Sequence, residues 1–227
     1  LDEAKQKIEE ALKFGDAQAL PSAWITKGDI YNTILQRDMA KRMVNPNAPL
    51  TGDNDALVAF DAYKKGYEIA TKKFEKSDAI KGVGEVQGHM INIGVTKYEA
   101  GEYEKAFYSF RGSLQSHEML TASGAKSALD DQIQYDNQMY ITGLAAMLAT
   151  RYSDAMPYFE NLYRKGTDKP AIYEGLYTCK IELGDADGAA KVLSEGRQKF
   201  PDDPGLLFAE INQYLKAGKL DELTTRL

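Results

Sequence analysis

A position on one predicted helix and an alanine on the next recur 12 residues apart three times: Gly94 to Ala106, Gly143 to Ala155 and Tyr177 to Ala189. The return interval is 22 residues from Ala155 to Tyr177 and again from Ala189 to Ile211, so the last full period is 34 residues. A period of this size implies stacked supersecondary units, each of which buries its apolar face only against its neighbours. From Gly28 to Ala59 the separation is 31 rather than 12, an excess of about 19 that would hold the loop-like run Asn45-Pro46-Asn47-Ala48-Pro49-Leu50-Thr51-Gly52-Asp53. Further insertions, about 13 residues before Gly94 and about 15 between Ala106 and Gly143, are expected between helices, the latter near Thr121-Ala122-Ser123-Gly124. Small side chains at Gly28, Gly94, Gly143 and Ala189 predict that paired helices touch backbone to backbone there, with a Tyr or Phe one turn away filling the gap to the next hairpin.

Around these positions the apolar residues keep a 3.6-residue period, as in Asp55 to Tyr63 and Asp154 to Tyr163, and no segment alternates as a strand. Hydrophobic residues make up 43% of the 227, enough for a buried core. The longest apolar stretch, Met139 to Ala149, would span only about 16 Å as a helix, far short of a bilayer. With 28 basic against 34 acidic residues, a net charge of −6 and a pI near 5.1, the chain lacks the clustered cations that phosphate-backbone binding demands. Nucleic acid is therefore not an expected partner.

Four segments resemble the tetratricopeptide repeat. Trp24, Gly28 and Tyr31 occupy its first-helix positions, and Ala59-x3-Tyr63-x2-Gly66 its second helix. Met90-x2-Ile93-Gly94 leads to Ala106-x3-Phe110, and Met139-x2-Thr142-Gly143 leads to Ala155-x3-Phe159. Tyr173-x2-Leu176-Tyr177 leads to Ala189-x3-Leu193 and the closing Phe200-Pro201. The resemblance implies an all-α fold, a right-handed α-solenoid of antiparallel helix pairs in one domain over 1–227. Its units are a half repeat at 1–15, a repeat at 21–75 with a loop inserted at 44–54, repeats at 87–120, 136–166 and 170–203, and a partial repeat at 204–227. Ala4-x3-Ile8-x2-Ala11 reads as an orphan second helix. The lack of an initiator Met and the unfinished final helix suggest a processed or trimmed piece of a longer polypeptide.

Motifs that would indicate chemistry are incomplete. Gly82-Val83-Gly84-Glu85-Val86-Gln87-Gly88 approaches a dinucleotide fingerprint, but its last glycine comes one residue late and no strand precedes it, so it reads as a flexible lead-in to the next helix. Asp185-Ala186-Asp187-Gly188 hints at a calcium loop, yet that register puts Leu183 and Ser194 where oxygen ligands are needed, leaving a tight turn between helices. His89 and His117 stand far apart and neither lies in a zinc motif. Cys179, the single cysteine, falls on a predicted helix with no histidine nearby and reads as a small core residue. Acidic residues such as Glu99, Glu102 and Glu104 occupy helical solvent faces. No catalytic residue, cofactor or metal site is expected.

In proteins of this resemblance the first helices line an inner groove, mainly through repeat positions 2, 5, 9 and 12. Those positions carry Ile91, Val95 and Tyr98, then Asn137, Tyr140, Leu144 and Met147, then Glu174, Thr178 and Ile181. The implied groove is apolar and aromatic, and tyrosines there bury much area while keeping a hydroxyl for the partner. A register error would make the same residues core. The carboxylate clamp of chaperone-binding relatives is absent, since the matching sites hold Ile25 and Asp29, Ile91 and Val95, and Tyr140 and Leu144, with Asn92 alone resembling a clamp residue. The resemblance thus implies a non-catalytic protein-protein interaction scaffold that binds a protein or peptide segment in its groove; self-association is compatible with such a face. The alternative is an accessory or substrate-recruiting module of a larger protein whose enzymatic part lies outside this chain. The opening Asp2-Glu3-Ala4-Lys5 run and Trp24 to Tyr31 resemble exported repeat proteins of Gram-negative bacteria, with the periplasm or cell envelope as compartment and the cytoplasm as the alternative.

Overall fold

The computed structural model describes residues 1–45, 48, 52, 54–166, 168–216 and 218. Among these the regular structure is entirely helical, without a strand. The chain forms two compact units, Leu1–Tyr135 and Asp136–Leu227. In the first, α1 (Asp2–Ala11), α2 (Gly15–Gln18), α3 (Pro21–Val44), α4 (Asp55–Ile69), α5 (Lys73–Glu99) and α6 (Tyr103–Ala122) follow one another. The second comprises α7 (Gln132–Leu148, from Asp136 on), α8 (Tyr152–Arg164), α9 (Pro170–Glu182), α10 (Ala186–Lys199) and α11 (Pro204–Lys216). Within each unit helices pack on their neighbours in sequence, the arrangement of a tetratricopeptide-like helical solenoid.

Local rules explain the helix ends. Pro21 and Pro170 open α3 and α9, where a missing N–H costs nothing. Seven residues after Gly94, Gly143 and Tyr177 stand Gly101, Thr150 and Gly184, all in the left-handed region at φ 75°, 59° and 82°. At each corner the next residue donates back into the finished helix: Glu102 N–H to the Lys97 carbonyl at 2.9 Å, Arg151 to Ala146 at 2.8 Å and Asp185 to Lys180 at 2.8 Å. These six-to-one bonds satisfy carbonyls that a helix end leaves open. Thr150 makes the same turn as its glycine counterparts with a β-branched side chain, and so carries backbone strain that they avoid.

The second-helix alanines Ala59, Ala106, Ala155 and Ala189 are fully buried. Gly28, Gly94, Gly143 and Ala189 are buried too, within helices, but the contact differs from the expected meeting of backbones. Each glycine accepts an aromatic ring from the second helix of its pair. Tyr63 lies between Gly28 of α3 and Gly82 of α5, and Phe159 lies between Gly143 of α7 and Gly175 of α9. A methyl group at Gly28, Gly82 or Gly175 would overlap the ring, and one at Gly143 would press on it at 3.3 Å. Phe110 occupies the same kind of slot against Gly94. A ring fits because only hydrogen stands between it and the helix axis, so Phe110, Phe159 and Tyr63 reach at most 1% exposure.

The insertions also behave differently from expectation. Apart from 45–54, most of whose residues lie outside the described set, and from 123–131 between α6 and α7, the extra length extends helices. Gly82 to Gly88 is no flexible lead-in: it lies inside the 27-residue α5. Glycine weakens a helix by about 1 kcal/mol relative to alanine. Here Tyr63 packs on Gly82, while buried Ile80, Val83, Val86 and Met90 anchor the same stretch. The N-terminal half of α5 thus receives Tyr63 of α4, and its C-terminal half receives Phe110 of α6. The stretch Thr121 to Gly124 does end a helix, α6, with Gly124 at φ 71°.

Polar contacts tie the irregular parts down. Buried Gln87 donates to the Ser113 carbonyl at 3.0 Å and to Ser127 Oγ at 2.9 Å, and accepts from the Ala128 N–H at 2.8 Å, which fastens the chain after α6 to α5. At the N-terminus Glu9 accepts from the Tyr31 hydroxyl at 2.7 Å and pairs with Lys27 at 2.8 Å, holding α1 on α3. The orphan second helix expected at Ala4 to Ala11 is α1; what was expected of 219–227 lies outside the described residues.

Candidate functional site

The ten residues expected to line a groove fall in both units, and each set is described within its own unit. On α5, Ile91 and Tyr98 are half-buried and Val95 is exposed. Their neighbours Ile93 and Gly94 point into the core. Tyr98 packs edge-on against Tyr103 of α6 with centroids 5.3 Å apart, and burial, followed by the neighbouring Tyr103, pushes its phenol above the ordinary value.

On α7, Tyr140, Leu144 and Met147 are half-buried and Asn137 is exposed, whereas Met139, Thr142, Ala145 and Ala146 are buried. Tyr140 leans edge-on toward Phe159 at 6.2 Å, so the ring that fills the glycine slot also supports a surface tyrosine. Asn137 Oδ1 accepts from Lys169 Nζ at 2.8 Å, and Asp136 pairs with Lys165 at 2.6 Å, which fixes the start of α7 against the approach to α9. On α9, Glu174, Thr178 and Ile181 are half-buried, while Ile172, Leu176 and Cys179 are buried. Burial, then the hydrogen bond and charge of Asp203, push the Glu174 carboxyl above its ordinary value. Asp203 itself caps α11 by accepting from the Leu206 N–H at 2.9 Å.

Eight of the ten are half-buried and two, Val95 and Asn137, are exposed, while buried positions lie one or two residues away from most of them. The same register, carried 22 residues from Ala189 to Ile211, puts Phe208 and Leu215 of α11 at positions 5 and 12. They are 68% and 50% exposed, unusually open for such large apolar side chains. The sequence reading stopped one helix short of them, although the interval that locates them was already in hand.

The remaining motifs take structural places. Asp185 caps α10, accepting from the Gly188 N–H at 2.9 Å and pairing with Lys180 at 2.6 Å. Cys179 is fully buried, and burial pushes its thiol up to about 11. His89 lies half-buried on α5, and burial pushes its imidazole below the ordinary value despite the opposing charge of Glu85. His117 on α6 meets Ser127 Oγ through Nδ1 at 2.9 Å and stacks near Tyr135 at 4.7 Å. Among the described residues no group of three or more His, Cys, Asp or Glu side chains could hold a metal, and no helix is long and apolar enough to cross a membrane.

Antiparallel helix pairs, glycine slots filled by aromatic rings and repeated left-handed corners define a helical-repeat protein. Residues 146–207 match the family model of the tetratricopeptide repeat, which supports reading that stretch as tetratricopeptide repeats. The matched stretch begins within α7 and ends within α11, so it covers the three helices α8, α9 and α10 in full. A search of curated proteins gives no significant match. Repeats of this family serve in general as protein-protein interaction modules.

Proposed function

We propose that the chain is a non-catalytic scaffold that holds a segment of a partner protein on the solvent-facing sides of its first helices. The observation that carries this reading is the split within α5, α7 and α9: one stripe is buried, and in the adjoining apolar stripe Val95 is exposed while Ile91, Tyr140, Leu144, Met147 and Ile181 are only half-buried. The apolar area that the fold leaves open on this stripe is area a partner can desolvate, at about 25 cal/mol for each Å². Tyrosine adds contact area with few rotamers to freeze and a hydroxyl for a hydrogen bond. Phe208 and Leu215 extend the stripe of the second unit onto α11.

The test is site-specific crosslinking. A photoreactive phenylalanine analogue placed at Tyr140, Val95 or Phe208 should trap the same partner from native extract, and placed at Glu118, exposed on α6, should not. Tyr140→Ala combined with Leu144→Asp should abolish capture by the second unit while leaving the far-ultraviolet circular dichroism unchanged. Capture that persists in this double variant overturns the reading.

A further inference from the structure

A cavity of about 400 Å³ opens between α4 and α6 of the first unit, away from the first-helix residues described above. Leu57, Val58 and Phe60 give it an apolar wall, and its mouth carries a carboxylate, Asp61, and a guanidinium, Arg111. The Arg111 Cζ lies 5.4 Å from the ring centroid of Phe107 and 5.0 Å from that of Tyr108, so two aromatic rings hold the group in place. Neither Arg111 nor Asp61 makes a hydrogen bond or ion pair among the described residues, although the charges of Lys64, Arg111 and Lys27 act on Asp61. Burial pushes the Asp61 carboxyl above its ordinary value, although Lys64, Arg111 and Lys27 all pull it down. The other charges at the rim are engaged, Lys105 with Glu102 at 2.6 Å and Glu104 with a partner of its own.

Asp61 is exposed and Arg111 half-buried, so both charges are open to a ligand at the cavity, and one that carries a cation and an anion can answer both. A polyanion would meet Asp61 and Glu104, and a simple cation would meet Arg111 and Lys105. We propose that the cavity binds a small zwitterion with an apolar side chain, an α-amino acid or short peptide, its ammonium on Asp61, its carboxylate on Arg111 and its side chain against Leu57, Val58 and Phe60. A guanidinium held against aromatic rings can still offer N–H groups, and these match a carboxylate in two parallel hydrogen bonds. The volume lies in the range of small-molecule sites, about 300–1,000 Å³.

Calorimetric titration of the whole chain with leucine, dileucine and trileucine tests this, with N-acetyl-leucine and leucinamide as probes that each lack one charge. At least one zwitterion of the series should bind, and each capped form should bind at least about tenfold more weakly than leucine or the matching zwitterion. Arg111→Met should remove the advantage conferred by the carboxylate and Asp61→Asn that conferred by the ammonium, while Tyr140→Ala should change neither. The absence of heat for all three zwitterions up to about 10 mM overturns the proposal. Capped probes that bind as well as the zwitterions overturn it as well, and that comparison uses the unaltered protein and so does not depend on a variant's folding.

Discussion

In the second unit α7, α8, α9 and α10 run 17, 13, 13 and 14 residues, close to the regular period, whereas in the first α3, α5 and α6 run 24, 27 and 20. Both nevertheless close on the same contact, an aromatic ring between two glycines of successive first helices: Tyr63 between Gly28 and Gly82, Phe159 between Gly143 and Gly175. The difference is what surrounds the ring. Tyr63 also donates its hydroxyl to Asp29 at 2.8 Å, and burial together with that carboxylate pushes the phenol far above its ordinary value. Phe159 has no polar handle and depends on packing alone. Helix length is thus free to vary, provided the slot is preserved.

Emptying the slots gives the largest effect. Phe159→Ala should destabilise its unit by about 3–5 kcal/mol in urea unfolding, because a ring with no exposure leaves a cavity between two helices. Tyr63→Ala should cost at least as much, since Asp29 also loses its donor, and a smaller loss would show that the long helices of the first unit compensate. Filling a slot is the next test. Gly94→Leu should cost about 1–3 kcal/mol through overlap with Phe110, and an unchanged melting temperature would mean that the slot is not tightly packed.

Smaller changes probe the corners. Thr150→Gly should stabilise the second unit by about 1 kcal/mol in the same unfolding assay, making its corner equal to those at Gly101 and Gly184. The smallest effect is electrostatic. In the native state Glu174 holds its proton more tightly than the ordinary value of 4.5 implies, because of burial and Asp203. The unfolded chain therefore releases that proton first as pH rises, and native stability falls through this range. Glu174→Gln should raise the melting temperature at pH 7, and the gain should vanish below the ordinary glutamate range, where both states of the parent protein are protonated.

Much of this was legible beforehand. The 12-residue interval located Gly94, Gly143 and the buried alanines, because helical periodicity and the need for a small residue at a crossing are local properties. The same register, carried one helix further, reaches the exposed Phe208 and Leu215. What escaped was the partner of each glycine: that Tyr63 serves Gly28 and Gly82 at once is a contact between residues 35 and 19 apart, across three helices. The lead-in expected at Gly82 to Gly88 failed for the same reason, since glycine propensity argued against a helix that tertiary packing then enforced.

From its residues alone the chain declared a helical repeat and its helix pairs, since periods of 3.6 and 34 residues are written along a single strand of sequence. Only the folded chain decided that the extra residues lengthen α3 and α5, that Gln87 binds Ser113, Ser127 and Ala128, and that Arg111 and Asp61 share one cavity. These depend on which side chains meet across helices, and that is determined by summed burial and hydrogen bonding over the whole unit rather than by any local propensity.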